Sequence, residues 1–346
     1  MDYGIRASAL NNEKARGEKM PDREGILNAV LSTIVNMNWS DILNLRIIFL
    51  SIIIEALPFI LLGVFVSALI NQFVSEQLIQ RLLPKNRLYS IIPACFLGVL
   101  FPVCDCAIVP IVRRLITKGV PLPAGIAFML AAPVINPVVA SATAFAFNTQ
   151  AVMWLRLSMA FVVAAGVALC LGYCFRGSGL KLQFNLQYHS QPCGCGQHHS
   201  HSRQTGYDRC FNVLADVCDE FFEMGRFLIF GALFSAIAQT LIPSAVMMGI
   251  GKDPDSSIPS MMVFAFLVSV CSTADAFIAA SFSGTFTLAS LLAFMTFGPM
   301  IDLKNTFMLF HTFRFRLVIA LILLTSILCW ASAYLLNIFL TEGLII

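Results

Sequence analysis

The sequence predicts an all-α integral membrane protein of about eight transmembrane helices. These form two homologous halves, with broken helices at the repeat interface. Three observations carry this prediction. Of 346 residues, 58% are hydrophobic and 12% charged, against about 25% charged in a soluble domain. The apolar residues gather in long runs with Gly and Pro inside them, unlike the alternating segments of roughly 10 residues in a β-barrel. Motifs also recur across the chain at a nearly constant offset.

Residues 1–40 are mixed and polar, with Arg6, Lys14, Arg16, Lys19 and Arg23, and no apolar signal region precedes the first run. They read as a cytoplasmic N-terminal tail, with an amphipathic piece from 25 to 35. Eight runs follow at 45–72, 89–112, 122–147, 151–175, 215–243, 259–282, 287–310 and 315–340. Each is near the roughly 20 residues that a bilayer-spanning helix needs. They divide the chain into a first membrane repeat (41–175), a hydrophilic loop (176–214) and a second membrane repeat (215–346). The distribution of Lys and Arg favours a cytoplasmic N-terminus and a cytoplasmic central loop, with Arg156 counted on the opposite side. A re-entrant motif segment in either half would change that count and flip the orientation of the second half.

The repeat is explicit. Glu55, Phe59, Gly63 and Ser67-Ala68 match Glu223, Phe227, Gly231 and Ser235-Ala236. Val103-Cys104 answers Val270-Cys271, and Ala127-Phe128-Met129 with Pro133, Ile135 and Asn136 answers Ala293-Phe294-Met295 with Pro299, Ile301 and Asp302. The offsets are 166–168 positions throughout. Duplicated halves suit a transporter, whose site lies at the repeat interface on interrupted helices. Four spans per half would make the halves parallel; one re-entrant segment per half would make them inverted.

The chemistry concentrates in Pro102-Val103-Cys104-Asp105-Cys106-Ala107-Ile108-Val109-Pro110. Prolines break a helix, and a carboxylate at membrane depth is costly enough to be a functional candidate by default. On an unwound strip Cys104 and Cys106 can face one cavity, and thiolates are ligands for soft acids such as Zn, Cu(I) or trivalent arsenic and antimony. Cys271 and Asp275 form the second-half counterpart, so up to three thiols could converge, with Asp105 and Asp275 handling protons. The alternative is that the cysteines are small packing residues and Asp105 caps a broken helix.

Asn136 and Asp302 are expected to shape the broken helices. Lys304 is expected to pair with Asp302 or Asp275, and Glu55, Glu223 and Lys304 are coupling or gating candidates. In the loop, Cys193, Cys195, His198, His199 and His201 read as a site for Zn or another soft metal. No other cofactor is required. No nucleotide-binding loop, Ser-His-Asp-like set or HExxH motif is present, so the chain does not read as an enzyme.

These motifs, with the Gly119-Val120-Pro121 turn and Cys271-Ser272-Thr273-Ala274-Asp275-Ala276-Phe277, resemble the predicted permease family that contains the organoarsenical efflux permeases. The resemblance spans roughly 40–340, and Asp105 stands where that family commonly has a small residue. It implies a multi-pass permease of the bacterial inner membrane. In the arsenical branch it implies export of trivalent organoarsenicals through membrane cysteines. The expected partners are the bilayer, a small metal or metalloid substrate, and a partner membrane protein or second copy, with no nucleic acid. The alternatives are a permease for zinc or another metal complex working with a partner protein, a membrane thiol redox protein, and a metal sensor.

Overall fold

A computed structural model describes residues 39–73, 90–100, 103–174, 206–241 and 254–341. Among these residues all regular structure is helical. The helices are α1 (Trp39–Phe73), α2 (Ile91–Leu100), α3 (Asp105–Thr117), α4 (Leu122–Ala131), α5 (Pro137–Phe147) and α6 (Gln150–Cys174). The second half holds α7 (Gly206–Leu241), α8 (Pro254–Val268), α9 (Ala274–Ser281), α10 (Leu288–Met300), α11 (Leu303–Thr312) and α12 (Phe315–Thr341).

Four helices, α1, α6, α7 and α12, are long and apolar enough to cross a membrane. Large apolar side chains such as Leu62, Phe65, Phe230 and Trp154 point outward from them, as a lipid-facing surface requires. The other four expected spans are each two shorter helices. The runs 89–112, 122–147, 259–282 and 287–310 are interrupted at the motifs, and α3 continues to Thr117. The unwound strip expected from Pro102 to Pro110 is shorter in the structure. Helix resumes at Asp105, and Pro110 sits inside α3, where its missing N–H leaves the Cys106 carbonyl without an intrahelical donor.

Each resumption has a local cause. Asn136 caps α5, its side chain accepting from Val139 N at 2.8 Å. Its repeat counterpart Asp302 caps α11, accepting from Asn305 N at 2.6 Å. Capping satisfies N–H groups that a helix start leaves without partners. Asp105 and Asp275 lie in the first turns of α3 and α9, where the positive end of the helix dipole favours a carboxylate.

The contacts fix relative directions. Gly63 of α1 packs on Ala107 of α3, and Ser67 Oγ lies 3.4 Å from Pro110 O, so α1 and α3 run the same way. At their starts α3 and α11 meet through Asp105 and Lys304, and further along Arg113 and His311 both reach Glu223. These two helices are also parallel. Gly231 and then, one way along α7, Glu223 meet Lys304 and His311 of α11 in the opposite order. Helix α7 therefore runs against α11, α3 and α1. Helices α1 and α7, which carry the matched Glu55 and Glu223 motifs, are antiparallel, and their first residues lie at opposite ends of the bundle.

The turn at Gly119 (φ 102) folds α4 back along α3, with Gly125 against Ile116. Near their ends α2 and α4 meet through Gly98 and Ala132, as do α8 and α10 through Ala265 and Gly298. This is one contact in both halves with the glycine exchanged. Ser257 to Ser290 at 2.9 Å shows that α8 and α10 are parallel. By the same packing α2 runs with α4, so α2 and α3 double back at the Val103-Cys104 break. Phe282, just past α9, returns against Phe264 of α8, which marks the matching reversal.

Candidate functional site

The interrupted helices bring the starts of α3 and α11 together beside the break before α9, where α1 covers them. Cys104 is the extended residue before α3 (φ −77, ψ 166), and Cys106 lies in that helix's first turn. Cys271 lies in the break 269–273. All three thiols line one cavity with Asp105, Glu55, Ser269 and Lys304. The cavity is tight, about 10 Å³, roughly what one water needs. Cys104 and Cys271 are half-buried and Cys106 is buried; all three are free thiols. Cys106 Sγ lies 3.8 Å from Asp105 Oδ2, and Thr273 Oγ1 donates to Cys271 Sγ at 3.7 Å. Among the described residues, no three His, Cys, Asp or Glu side chains are placed to hold a metal ion together.

Lys304 is buried, and its ammonium lies 2.9 Å from Asp105 Oδ2 and 3.2 Å from Asp302 Oδ2. It also donates to Ser269 O at 2.9 Å. The expected Lys304–Asp302 pair is present, but its second carboxylate is Asp105 and not Asp275.

Asp275 belongs to a separate buried pair with Arg156, whose Nη2 reaches both carboxylate oxygens at 2.9 and 3.0 Å. The same guanidinium donates to Thr143 Oγ1, Ser272 O and Met295 O. It thereby ties α6 to α5, α9 and α10. Arg156, counted from the sequence among the charges on the side opposite the N-terminus, is buried, 1% exposed. A charge within an apolar run was the signal that could have found it. Asp275, Asn136 and Asp302 do not line the thiol cavity; Asn136 instead donates to Ala132 O and Pro133 O around its break.

Toward the other ends of α3 and α11 lies an ionic cluster. Glu223 receives Arg113 at 3.3 Å and His311 at 2.7 Å, and Phe227 stacks on the His311 ring. Glu220 receives Arg114 at 3.4 Å and Ser67 Oγ at 3.0 Å. The cluster joins α1, α3, α7 and α11. Of these residues, Glu223 alone is a coupling or gating candidate from the sequence. Glu55, its repeat counterpart, is exposed and forms no ion pair among the described residues. The Cys193, Cys195, His198, His199 and His201 group lies outside the described residues.

A family model described as a predicted permease matches residues 41–338. The chain is 43% identical over 297 residues to UPF0718 protein YcgR of Bacillus subtilis, covering 86% of this chain and 98% of that protein. It is 39% identical over 290 residues to a Streptococcus mutans protein named "Putative two-component membrane permease complex subunit", covering 84% and 93%. No solved structure matches the chain. By the extent of these matches, the chain belongs to the predicted permease family.

Proposed function

We propose that this permease moves a soft, thiol-reactive metal or metalloid species outward through the cavity of Cys104, Cys106 and Cys271, a trivalent organoarsenical being the sharpest candidate. The observation that supports the reading is the convergence of these thiols, from both halves, on one cavity beside broken helices. Such breaks are where transporters hold their substrates. A monomethyl or aryl trivalent arsenical offers arsenic two exchangeable positions. It therefore needs two thiols, which suits a cavity without a three-donor metal site better than a bare ion does. In this reading Asp105, whose Oδ2 lies 3.8 Å from Cys106 Sγ, relays the thiol proton to the hydroxide that leaves arsenic as water.

The antiparallel α1 and α7 support an inverted repeat with a doubled-back hairpin in each half, giving six crossings and not eight. In such folds the two sides open alternately. The Arg113–Glu223–His311 and Arg114–Glu220 pairs act as a closed gate on one side, while unpaired Glu55 borders the cavity on the other.

A second reading is a permease for zinc or another metal complex that works with a partner membrane protein. Its support is the name of the Streptococcus mutans relative. Uptake of methylarsenite or zinc into everted membrane vesicles, which outward transport in the cell becomes, separates the two. Arsenical transport should fall at least about tenfold in Cys104→Ser and Cys106→Ser, with insertion intact. Unchanged transport in both variants would sink the thiol reading. Zinc transport that depends on a co-expressed partner would favour the second.

A further inference from the structure

The surroundings of Lys304 form a cation cage. Asp302 uses Oδ1 to cap α11, which leaves Oδ2 buried and paired with the Lys304 ammonium alone, at 3.2 Å. Asp105 Oδ2 and the Ser269 carbonyl, each 2.9 Å from the same nitrogen, complete the set. Ser269 ends the broken helix α8 in a left-handed conformation (φ 50), so its carbonyl is turned out of the helical ladder. Two carboxylate oxygens and a carbonyl released by a broken helix are hard donors, of the kind that coordinate coupling ions in transporters.

Asp105 and Asp302 share Lys304 as their cation among the described ion pairs. Glu55 is the further carboxylate that borders this space, where Asp105, Ser269 and Lys304 also line the thiol cavity. The cage thus opens onto the pathway, and a monovalent ion replacing the ammonium would leave its charge unchanged.

We propose that the Lys304 ammonium is a tethered stand-in, and that Asp105, Asp302 and Ser269 O form a sodium site that fills when Lys304 swings away. The role in coupling rests on the permease reading; the existence of the site does not.

The test is the melting of purified full-length protein, followed by tryptophan fluorescence, in sodium chloride or choline chloride of equal ionic strength. An ion that binds only the folded state raises its melting temperature. Lys304→Met should show a saturable rise of several degrees in sodium and none in choline. Wild type and Lys304→Arg should respond weakly, and Lys304→Met with Asp302→Asn should lose the response. Cys104→Ser added to Lys304→Met should keep it, which separates this result from the fate of the thiol reading.

Equal curves for Lys304→Met in the two salts overturn the proposal. So does stabilisation by lower pH alone, because the carboxylates then take a proton and no ion. If Lys304→Met folds only with Asp302→Asn added, at every sodium concentration, the cage accepts nothing but its own ammonium and the proposal fails.

Discussion

Arg156 and Asp275 are both nearly inaccessible, and the guanidinium makes contacts from four directions. Removing one member leaves the other charge buried and unpaired, which typically costs about 3–5 kcal/mol. Replacing both with apolar residues of similar size is often neutral or stabilising. Because the pair stands outside the thiol cavity, it reads as a brace between α6 and α9. Arg156→Ala should lower the melting temperature sharply. Arg156→Met with Asp275→Leu should restore both melting temperature and transport. Restored stability without transport would instead give the pair a part in the transport cycle.

At the scale of elements, two glycines set how closely the long helices approach the broken ones. A side chain at Gly63 would collide with Ala107. At Gly231 a Cβ would lie 2.7 Å from the Lys304 Cα and 3.1 Å from its carbonyl oxygen, and backbone cannot swing aside as a side-chain tip can. Gly231→Ala must therefore push α7 away from α11 or displace Lys304. Forced overpacking of this kind costs about 1–3 kcal/mol. Transport should fall strongly while the protein still inserts, and a Gly231→Ala protein with normal transport would refute so tight a seam. These glycines were visible in the sequence as repeat positions, but what each one touches was not. Gly63 meets α3 whereas Gly231 meets α11, which are not repeat counterparts. Asn136 and Asp302 were legible as helix-shaping residues because a polar residue after a proline-bearing apolar run has few other uses. Glu220 and His311 were not. Their partners lie on other helices, more than 80 positions away, and no spacing rule along the chain reaches that far.

For the whole molecule, the motifs matched outward from Cys104 and Cys271 suggest two halves, because such matches are visible in one dimension. The relative direction of the halves was not readable, because an apolar run looks alike whether it crosses the membrane or doubles back. The contacts supply that direction. Parallel α3 and α11 end near Arg113, Arg114 and Lys118 on one chain segment and Arg314 and Arg316 on the other. Antiparallel α7 begins at that same end. The positive-inside rule predicts that this basic end is cytoplasmic. The topology we propose therefore predicts that α7 starts at the cytoplasmic face and α1 at the opposite one. The basic residues of the tail stop at Arg23, well short of Trp39, and weigh less in that rule than charges next to a helix end. A protease-cleavable tag before α1 and another within 176–205 should be cut from opposite faces. In intact spheroplasts the first should be cleaved and the second protected, with the pattern reversed in everted vesicles. Cleavage of both tags from one face would reject the antiparallel reading and restore parallel halves with eight crossings.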